Sequence, residues 1–224
     1  MNFEPGKRIV IVGASGHGLV ALEAAVAQGY EVAGFLDSFK PEGLEVLGYK
    51  VLGRPDNLPA LMQEHRFTAG FLAISNNMIR SAVAANVRAI APEFKFVTVV
   101  HPTAWVSPSA TLGEGTLVLT GAIVHAMCNV GVHSIINTKA SLDHESTVGA
   151  FASLLPGVTT GGSVTIGDFS CICAGTTISH NVKIGRHTVV GAGSVILKDI
   201  PDEVLAYGSP GIAARPRKPE ERHF

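Results

Sequence analysis

Residues 106–200 read VSPSATLGEGTLVLTGAIVHAMCNVGVHSIINTKASLDHESTVGAFASLLPGVTTGGSVTIGDFSCICAGTTISHNVKIGRHTVVGAGSVILKDI. Every sixth residue from Val106 is Ile, Leu or Val, through Leu112, Leu142 and Ile172 to Ile196, with Thr160 the one exception. The residue four further on is small or β-branched each time, from Ala110 and Thr116 through Cys128, Ser146 and Val182 to Ser194, until Ile200 ends the series. A helix repeats every 3.6 residues and a plain strand every 2, so neither produces this register. It is an internal six-residue repeat. Each unit is a short strand plus a turn, offering one aliphatic and one small side chain to a shared interior. Three units make a triangular coil of eighteen residues, and coils stack at the strand spacing of ~4.8 Å. Glycine follows this inward position at Gly113, Gly131, Gly149, Gly161, Gly167, Gly185 and Gly191, where the chain is expected to turn its corners.

The residues before the repeat follow another rule. Arg8–Val12 is a short apolar run that meets Gly13-Ala14-Ser15-Gly16-His17-Gly18. Leu19, Val20, Leu22, Ala25 and Val26 then recur at helical spacing until Gly29, a natural helix stop. Strands are expected at Glu31–Leu36 and Phe67–Ile74, and a helix over Met78–Ile90. Strand, glycine turn, helix, strand is the opening of a parallel, Rossmann-like α/β sheet. The organisation read from this is an α/β domain over 1–100, a parallel β-helix over 101–204 and a C-terminal segment over 205–224.

Composition agrees and excludes several classes. The chain has 224 residues, 46% hydrophobic but only 6% aromatic, with 25 glycines. A narrow prism interior holds Ile and Val and has little room for rings. With 17 basic and 18 acidic side chains there is no basic excess for nucleic acid. No apolar run reaches the ~18 residues of a membrane span. The first residues carry Glu4 and a four-residue apolar run only, which is no signal-peptide pattern. Cys128, Cys171 and Cys173 make no disulfide framework and fit a reducing cytoplasm. Cys128 falls on an inward slot, whereas Cys171 and Cys173 lie off the inward series.

His144 follows an inward Leu142 by two residues and is expected to point outward from the prism. An imidazole, with an ordinary pKa near ~6.5, accepts a proton at neutral pH, and a neighbouring carboxylate makes it more basic. Asp143 and Glu145 both qualify as that neighbour. Gly162 lies eighteen residues on, one coil above, which brings a bare backbone beside the base. His180 belongs to the same column, where surface exposure is the simpler reading, and His125 and His133 fall on neighbouring walls. A single zinc needs nitrogens at ~2.0–2.1 Å, closer than two coils allow His144 and His180 of one chain to be. Glycines after a first strand, with Asp37 ending the second, suit a pyrophosphate at a helix N-terminus.

Four motifs occur together and in order: GASGHGLV at Gly13–Val20, FLDSFK at Phe35–Lys40, AISNNMIR at Ala73–Arg80 and NTKASLDHESTVG at Asn137–Gly149. In combination they resemble the PglD/NeuD-type sugar acyltransferases over essentially the whole chain. The resemblance implies a left-handed coil, a homotrimer and acetyl-CoA bound between subunits as co-substrate, with no metal. It implies that Ser15, Gly16 and His17 meet the phosphate–sugar part of a nucleotide-linked amino sugar. Asp37 and Ser38 would line its base, with Ser75 close by. Glu145 aligns with the carboxylate that supports the base, and Gly162, Ala174 and Ala192 fall on the acetyl-CoA site. Relatives carry a histidine nine residues after the base, against the acetyl group; Ser153 stands there in this chain. The ending Tyr207–Ala213 resembles a segment that closes over CoA, and Arg215, Arg217, Lys218 and Arg222 follow it.

The reading is a cytoplasmic N-acetyltransferase that moves acetyl from acetyl-CoA to the amine of a nucleotide-linked 4-amino-4,6-dideoxy sugar. Attack is direct, with His144 as general base. No Ser or Cys is visibly paired with a base, which speaks against an acyl-enzyme. Two rivals keep the fold: O-acetylation of a sialic acid or related sugar, and a non-catalytic sugar-nucleotide binder. A zinc hydratase is a third, marked by stoichiometric metal.

Overall fold

The computed structural model describes residues 6–219 and 221; Glu4 and Arg222 lie outside the described residues. β1 (Arg8–Val12) runs parallel to β2 (Glu31–Leu36) on one side and to β5 (Ala69–Leu72) on the other. A strand flanked on both edges and covered on both faces is apolar throughout, and Ile9–Val12 are all buried. With β3 (Glu45–Val46), β4 (Tyr49–Gly53) and β6 (Lys95–Phe96), the sheet order is β3-β4-β2-β1-β5-β6. Only β3, at the edge, is antiparallel. The first expected helix is α1 (Gly16–Gln28), closed by Gly29 in the left-handed conformation at φ 99°. Its buried face is Gly18, Ala21, Leu22, Ala24 and Ala25, while Val20 and Val26 are exposed. Small residues keep α1 thin enough to sit in one core with Ile9 and Ile11 of the sheet and Leu117, Leu119 and Ile135 of the prism. α2 (Leu58–His65) and α3 (Asn77–Ile90) join the other core with Val10 and Val12. No helix among the described residues is long and apolar enough to cross a membrane.

The repeat builds three walls of two-residue parallel strands. The first runs through Val99–Val100, Leu117–Val118, Ile135–Ile136, Ser153–Leu154, Cys171–Ile172 and Val189–Val190. The second climbs from Trp105–Val106 to Val195–Ile196, and the third from Thr111–Leu112 to Lys183–Ile184. Partners are offset by eighteen residues throughout, as in Ser141↔Thr159 and Thr147↔Thr165. Val118, Val124, Val130 and their successors to Ile196 are buried in one continuous core with Ala122, Cys128, Ala140 and Ala152. Hydroxyls in the small slot are satisfied by turn carbonyls: Ser134 donates to Gly149 O at 2.7 Å and Ser170 to Gly185 O at 2.6 Å. A hairpin of Val204–Gly208 and Gly211–Pro216 extends the first wall.

The glycines after the aliphatic do not turn the corners. They permit coils to touch: a Cβ on Gly113 would stand 2.5 Å from Val132 N, and one on Gly167 2.5 Å from Arg186 N. The corner itself is made two residues later, where φ is positive at Gly115, Gly121, Met127, His133, Lys139, Glu145 and so on, six apart, to Gly193. Side chains occupy a left-handed position there that ordinarily favours glycine or asparagine. On one corner they form a ladder: His133, Phe151, Phe169 and His187, eighteen apart, stack at centroid distances of 5.0, 5.4 and 4.8 Å. Phe96 of β6 meets the His133 end edge-on at 4.6 Å. His133 is therefore fully buried beneath the α/β domain, whereas His125 is exposed. Cys171 and Cys173 are likewise buried, on the outer face of the first wall against Leu155, Val189 and Leu205.

Candidate active site

The turn between β1 and α1 builds one half of the site. Gly13, at φ 108°, brings its Cα so close to the chain after β5 that a Cβ would stand 2.7 Å from Ala73 O. Gly18 lies against the turn itself, with a virtual Cβ 2.2 Å from Gly13 O. Gly16 between them faces open space. Ser15 caps α1 without spending its hydroxyl on the helix, and the first-turn N–H groups have no intrahelical acceptor. The resulting cleft holds about 330 Å³ and is lined by Ser15, Gly16, His17, Asp37, Ser38 and Ser75 together, along with Phe39 and Ile79.

Asp37 is tied to the walls of this cleft. Its carboxylate accepts from Ala14 N at 2.9 Å, Phe39 N at 2.8 Å and Lys40 N at 3.1 Å. Burial pushes the carboxyl pKa up, but these N–H groups and the Lys40 charge outweigh it and hold it below the ordinary value. The side chain thus clamps the glycine turn to the end of β2. His17 lines the cleft with Nε2 buried and without a hydrogen-bond partner. Burial, aided by the Arg80 charge, lowers its pKa to about 4, so the ring is neutral at pH 7 and offers no cation to a phosphate.

The other half lies on the prism corner after the second wall. His144 and Glu145 are both more than half exposed, and His144 Nδ1 stands 3.0 Å from Glu145 Oε2. A carboxylate only accepts, so Nδ1 carries the proton and the neutral ring keeps its lone pair on Nε2. Asp143 is otherwise engaged, its Oδ1 accepting from the His144 backbone N at 2.8 Å. Of the two carboxylates open to the sequence reading, Glu145 is the one at the ring. Gly162 lies one coil above, where a Cβ would come within 2.4 Å of His144 Cε1 and 2.5 Å of Nε2. His180 is the next residue of the column and is exposed. Ala174 and Ala192 stack on a different corner, after the first wall, also exposed and joined through Gly193 N to Ala174 O at 2.9 Å.

Ser153, the residue nine after His144, lies apart from both clusters. It is fully buried, donating to Asn77 Oδ1 at 2.7 Å and accepting from Arg80 Nη2 at 3.2 Å. Arg80, on α3, was not singled out by sequence reasoning as an individual residue, yet it bolts the two domains together. Its guanidinium donates to His133 O, Ile74 O, Ser75 O, Phe151 O and Asn77 Oδ1 as well. Asn77 reaches onward to Phe169 O and Ser170 O. Burial lowers the Arg80 pKa to about 9, which leaves it charged at neutral pH. The motif Ser75-Asn76-Asn77 thereby divides its work: Ser75 lines the cleft, Asn76 caps α3 by accepting from Ile79 N at 3.0 Å, and Asn77 crosses to the prism.

Comparison with known proteins covers both parts of the chain. Residues 8–87 match the family model of the PglD N-terminal domain, and residues 163–198 match the bacterial transferase hexapeptide (six repeats). PerB from Caulobacter crescentus, solved in complex with CoA and GDP-perosamine, is 36% identical, with a TM-score of 0.87 over 94% of this chain and 98% of that one. The acetyltransferase domain of PglB from Neisseria gonorrhoeae FA1090, in complex with acetyl coenzyme A, is 33% identical, with a TM-score of 0.85 over 93% and 99%. The UDP-N-acetylbacillosamine N-acetyltransferase of Bacillus subtilis (strain 168) is 33% identical over 114 residues; that match spans about half of each chain, 50% of this one and 51% of the relative. Matched along nearly the whole length of such enzymes, with a glycine-turn α/β domain joined to a hexapeptide left-handed β-helix, the chain belongs to the PglD/NeuD-type sugar N-acetyltransferase family.

Proposed function

We propose that this protein transfers the acetyl group of acetyl-CoA to the amine of a nucleotide-linked 4-amino-4,6-dideoxy sugar, with His144 as general base. The observation that carries the reading is the His144–Glu145 pair lying over the bare backbone of Gly162. Glu145 holds the proton on Nδ1, so Nε2 is free to take one from the amine as its nitrogen bonds the acetyl carbon and the carbon–sulfur bond breaks. Glu145 also stabilises the imidazolium that forms. Nucleotide phosphates would rest on the α1 N-terminus at Ser15 and Gly16, where nothing crowds the backbone. The small exposed strip of Ala174 and Ala192 suits a slender pantetheine chain, which CoA would supply along with the thioester.

His144 and that alanine strip occupy different corners of one prism. A homotrimer, in which the base corner of one prism faces the strip of the next, would join them, and this supports an inter-subunit site. PerB is solved with CoA and GDP-perosamine, and the PglB acetyltransferase domain with acetyl coenzyme A. Acetyl-CoA and nucleotide sugars as co-reactants are consistent with work in the cytoplasm.

The test is a CoA-release assay with acetyl-CoA and a panel of UDP- and GDP-linked 4-amino-4,6-dideoxy sugars, with sialic acid as the hydroxyl acceptor. Turnover on an amino sugar, sharply reduced in His144→Ala, is the expected result. Turnover on sialic acid alone would replace N- by O-transfer, and silence without CoA binding would overturn the transferase reading.

A further inference from the structure

The cleft does not end at Asp37. It shares Ser38 and Phe39 with a second hollow that Lys40, Glu42 and Arg54 also line. Phe39 is 97% exposed at the border between the two, an unusual position for a phenyl ring. Its placement is built, because the buried Asp37 carboxylate holds the backbone N–H of both Phe39 and Lys40. Arg54 Nη1 donates to Ser38 O at 2.6 Å, which anchors the guanidinium along the hollow. Glu42 folds over Gly53, with Oε2 3.8 Å from where a Cβ on that glycine would stand. A ring face, a carboxylate and a guanidinium thus converge just beyond the place proposed for the phosphates.

We infer that this hollow, adjoining the Asp37 and Ser38 already expected to line the base, selects guanine, and that Glu42 is the selecting residue. The inference rests on reading the adjoining cleft as a sugar-nucleotide site. An exposed aromatic ring at the end of a phosphate-binding cleft is a stacking platform for a base of any kind. Selection comes from Glu42. A carboxylate only accepts hydrogen bonds, and guanine alone among the common bases offers it two adjacent donors, N1–H and the N2 amino group. Uracil presents one N–H flanked by two carbonyl oxygens, which a carboxylate repels. Adenine and cytosine each present an amino group beside a bare ring nitrogen. Arg54 complements the same choice, since a guanidinium is the natural partner of guanine O6 and N7.

The experiment is calorimetric titration of the full chain with GDP, UDP and ADP, repeated on Glu42→Gln. Binding rather than turnover is read, so acceptor chemistry does not enter. Glu42 is exposed, and its replacement leaves the fold untouched. GDP is expected to bind at least tenfold more tightly than UDP or ADP, and Glu42→Gln is expected to lose most of that preference while UDP affinity stays within about twofold. Equal affinity for UDP or ADP, or a preference that survives in Glu42→Gln, would overturn guanine selection by Glu42 and leave the sugar-nucleotide site standing. Failure of all three diphosphates to bind would overturn both.

Discussion

The imidazole of His144 lies directly against the Cα of Gly162, one coil above it, in the space where any other residue would carry its Cβ. The contact is a consequence of the eighteen-residue coil, which stacks positions 144 and 162 on one corner. It also fixes where the ring can be. Gly162→Ala would place a methyl within 2.4 Å of Cε1, and the far end of the clash is a ring already tethered to Glu145. The ring must therefore swing away from its place. Acetyl transfer is expected to fall by one to two orders of magnitude, with the melting temperature nearly unchanged because His144 is on the surface. A variant that keeps wild-type kcat would show that the ring's position over Gly162 is unimportant.

Glu145 occupies a left-handed corner at φ 58°, so its replacement should preserve backbone strain as well as size. Glu145→Gln does both and removes the charge. Glutamine can still accept a hydrogen bond from Nδ1, but it no longer stabilises the imidazolium. Rate should drop on the order of 10–100-fold, less than the ~10²–10⁴-fold of a whole general base, because the imidazole itself remains. Asp143→Asn, which replaces a carboxylate that faces backbone instead, is expected to leave the rate nearly unchanged. Pseudo-first-order CoA release at neutral pH measures both.

Ser153 separates a structural role from a donor-binding one. Ser153→Ala removes a buried hydroxyl that donates to Asn77 and accepts from Arg80. The expected cost is about 1 kcal/mol, with acetyl-CoA affinity unaltered. Arg80→Met is the severe counterpart, because it strands the carbonyls of His133, Ile74 and Phe151. A loss of roughly 3 kcal/mol or more follows, which in a chain of this size is on the order of 6–12 °C of melting temperature. Denaturant titration distinguishes the two variants, and a raised acetyl-CoA Kd in Ser153→Ala would restore the donor-contact reading.

The divide between what sequence revealed and what it concealed follows from this geometry. The prism was legible because its interior repeats with the chain: inward residues are six apart whatever surrounds them. The cleft was legible because its lining comes from one turn and the two strand ends next to it. His144 and Gly162 were legible together, since eighteen residues is one coil. Ser153 was not, because whether an outward residue meets solvent, ligand or its own α/β domain depends on α3 folding back across some seventy residues. The rings at 133, 151, 169 and 187 did leave a signal, an eighteen-residue aromatic spacing that a search of the outward columns would have found. The corner glycines misled for a related reason. They mark close contact between coils, while the left-handed turns fall on residues as large as Phe151 and Phe169, which stacking holds in place.

Those stacks also bear on acid stability. Burial, then the charges of Arg88 and Arg80, lower the His133 pKa to about 4, and burial with Arg80 does the same for His17. Both rings are bases whose folded pKa lies below the unfolded value of 6.5. Between those values the unfolded chain binds more protons than the folded one, so stability is intact above pH 6.5 and is lost as pH falls toward 4. Unfolding free energy should accordingly decline across that window by an amount on the order of 3 kcal/mol for each ring at most. His133→Phe is the discriminating variant. Phe151 and Phe169 occupy equivalent left-handed corners in the same ladder, so a phenyl ring at 133 keeps the stack while removing the titration. Urea titrations from pH 7 to 4.5 should show a shallower decline in this variant than in the wild type. Identical slopes would mean that His133 does not take up its proton on unfolding, and that the acid sensitivity belongs to His17 or to other groups.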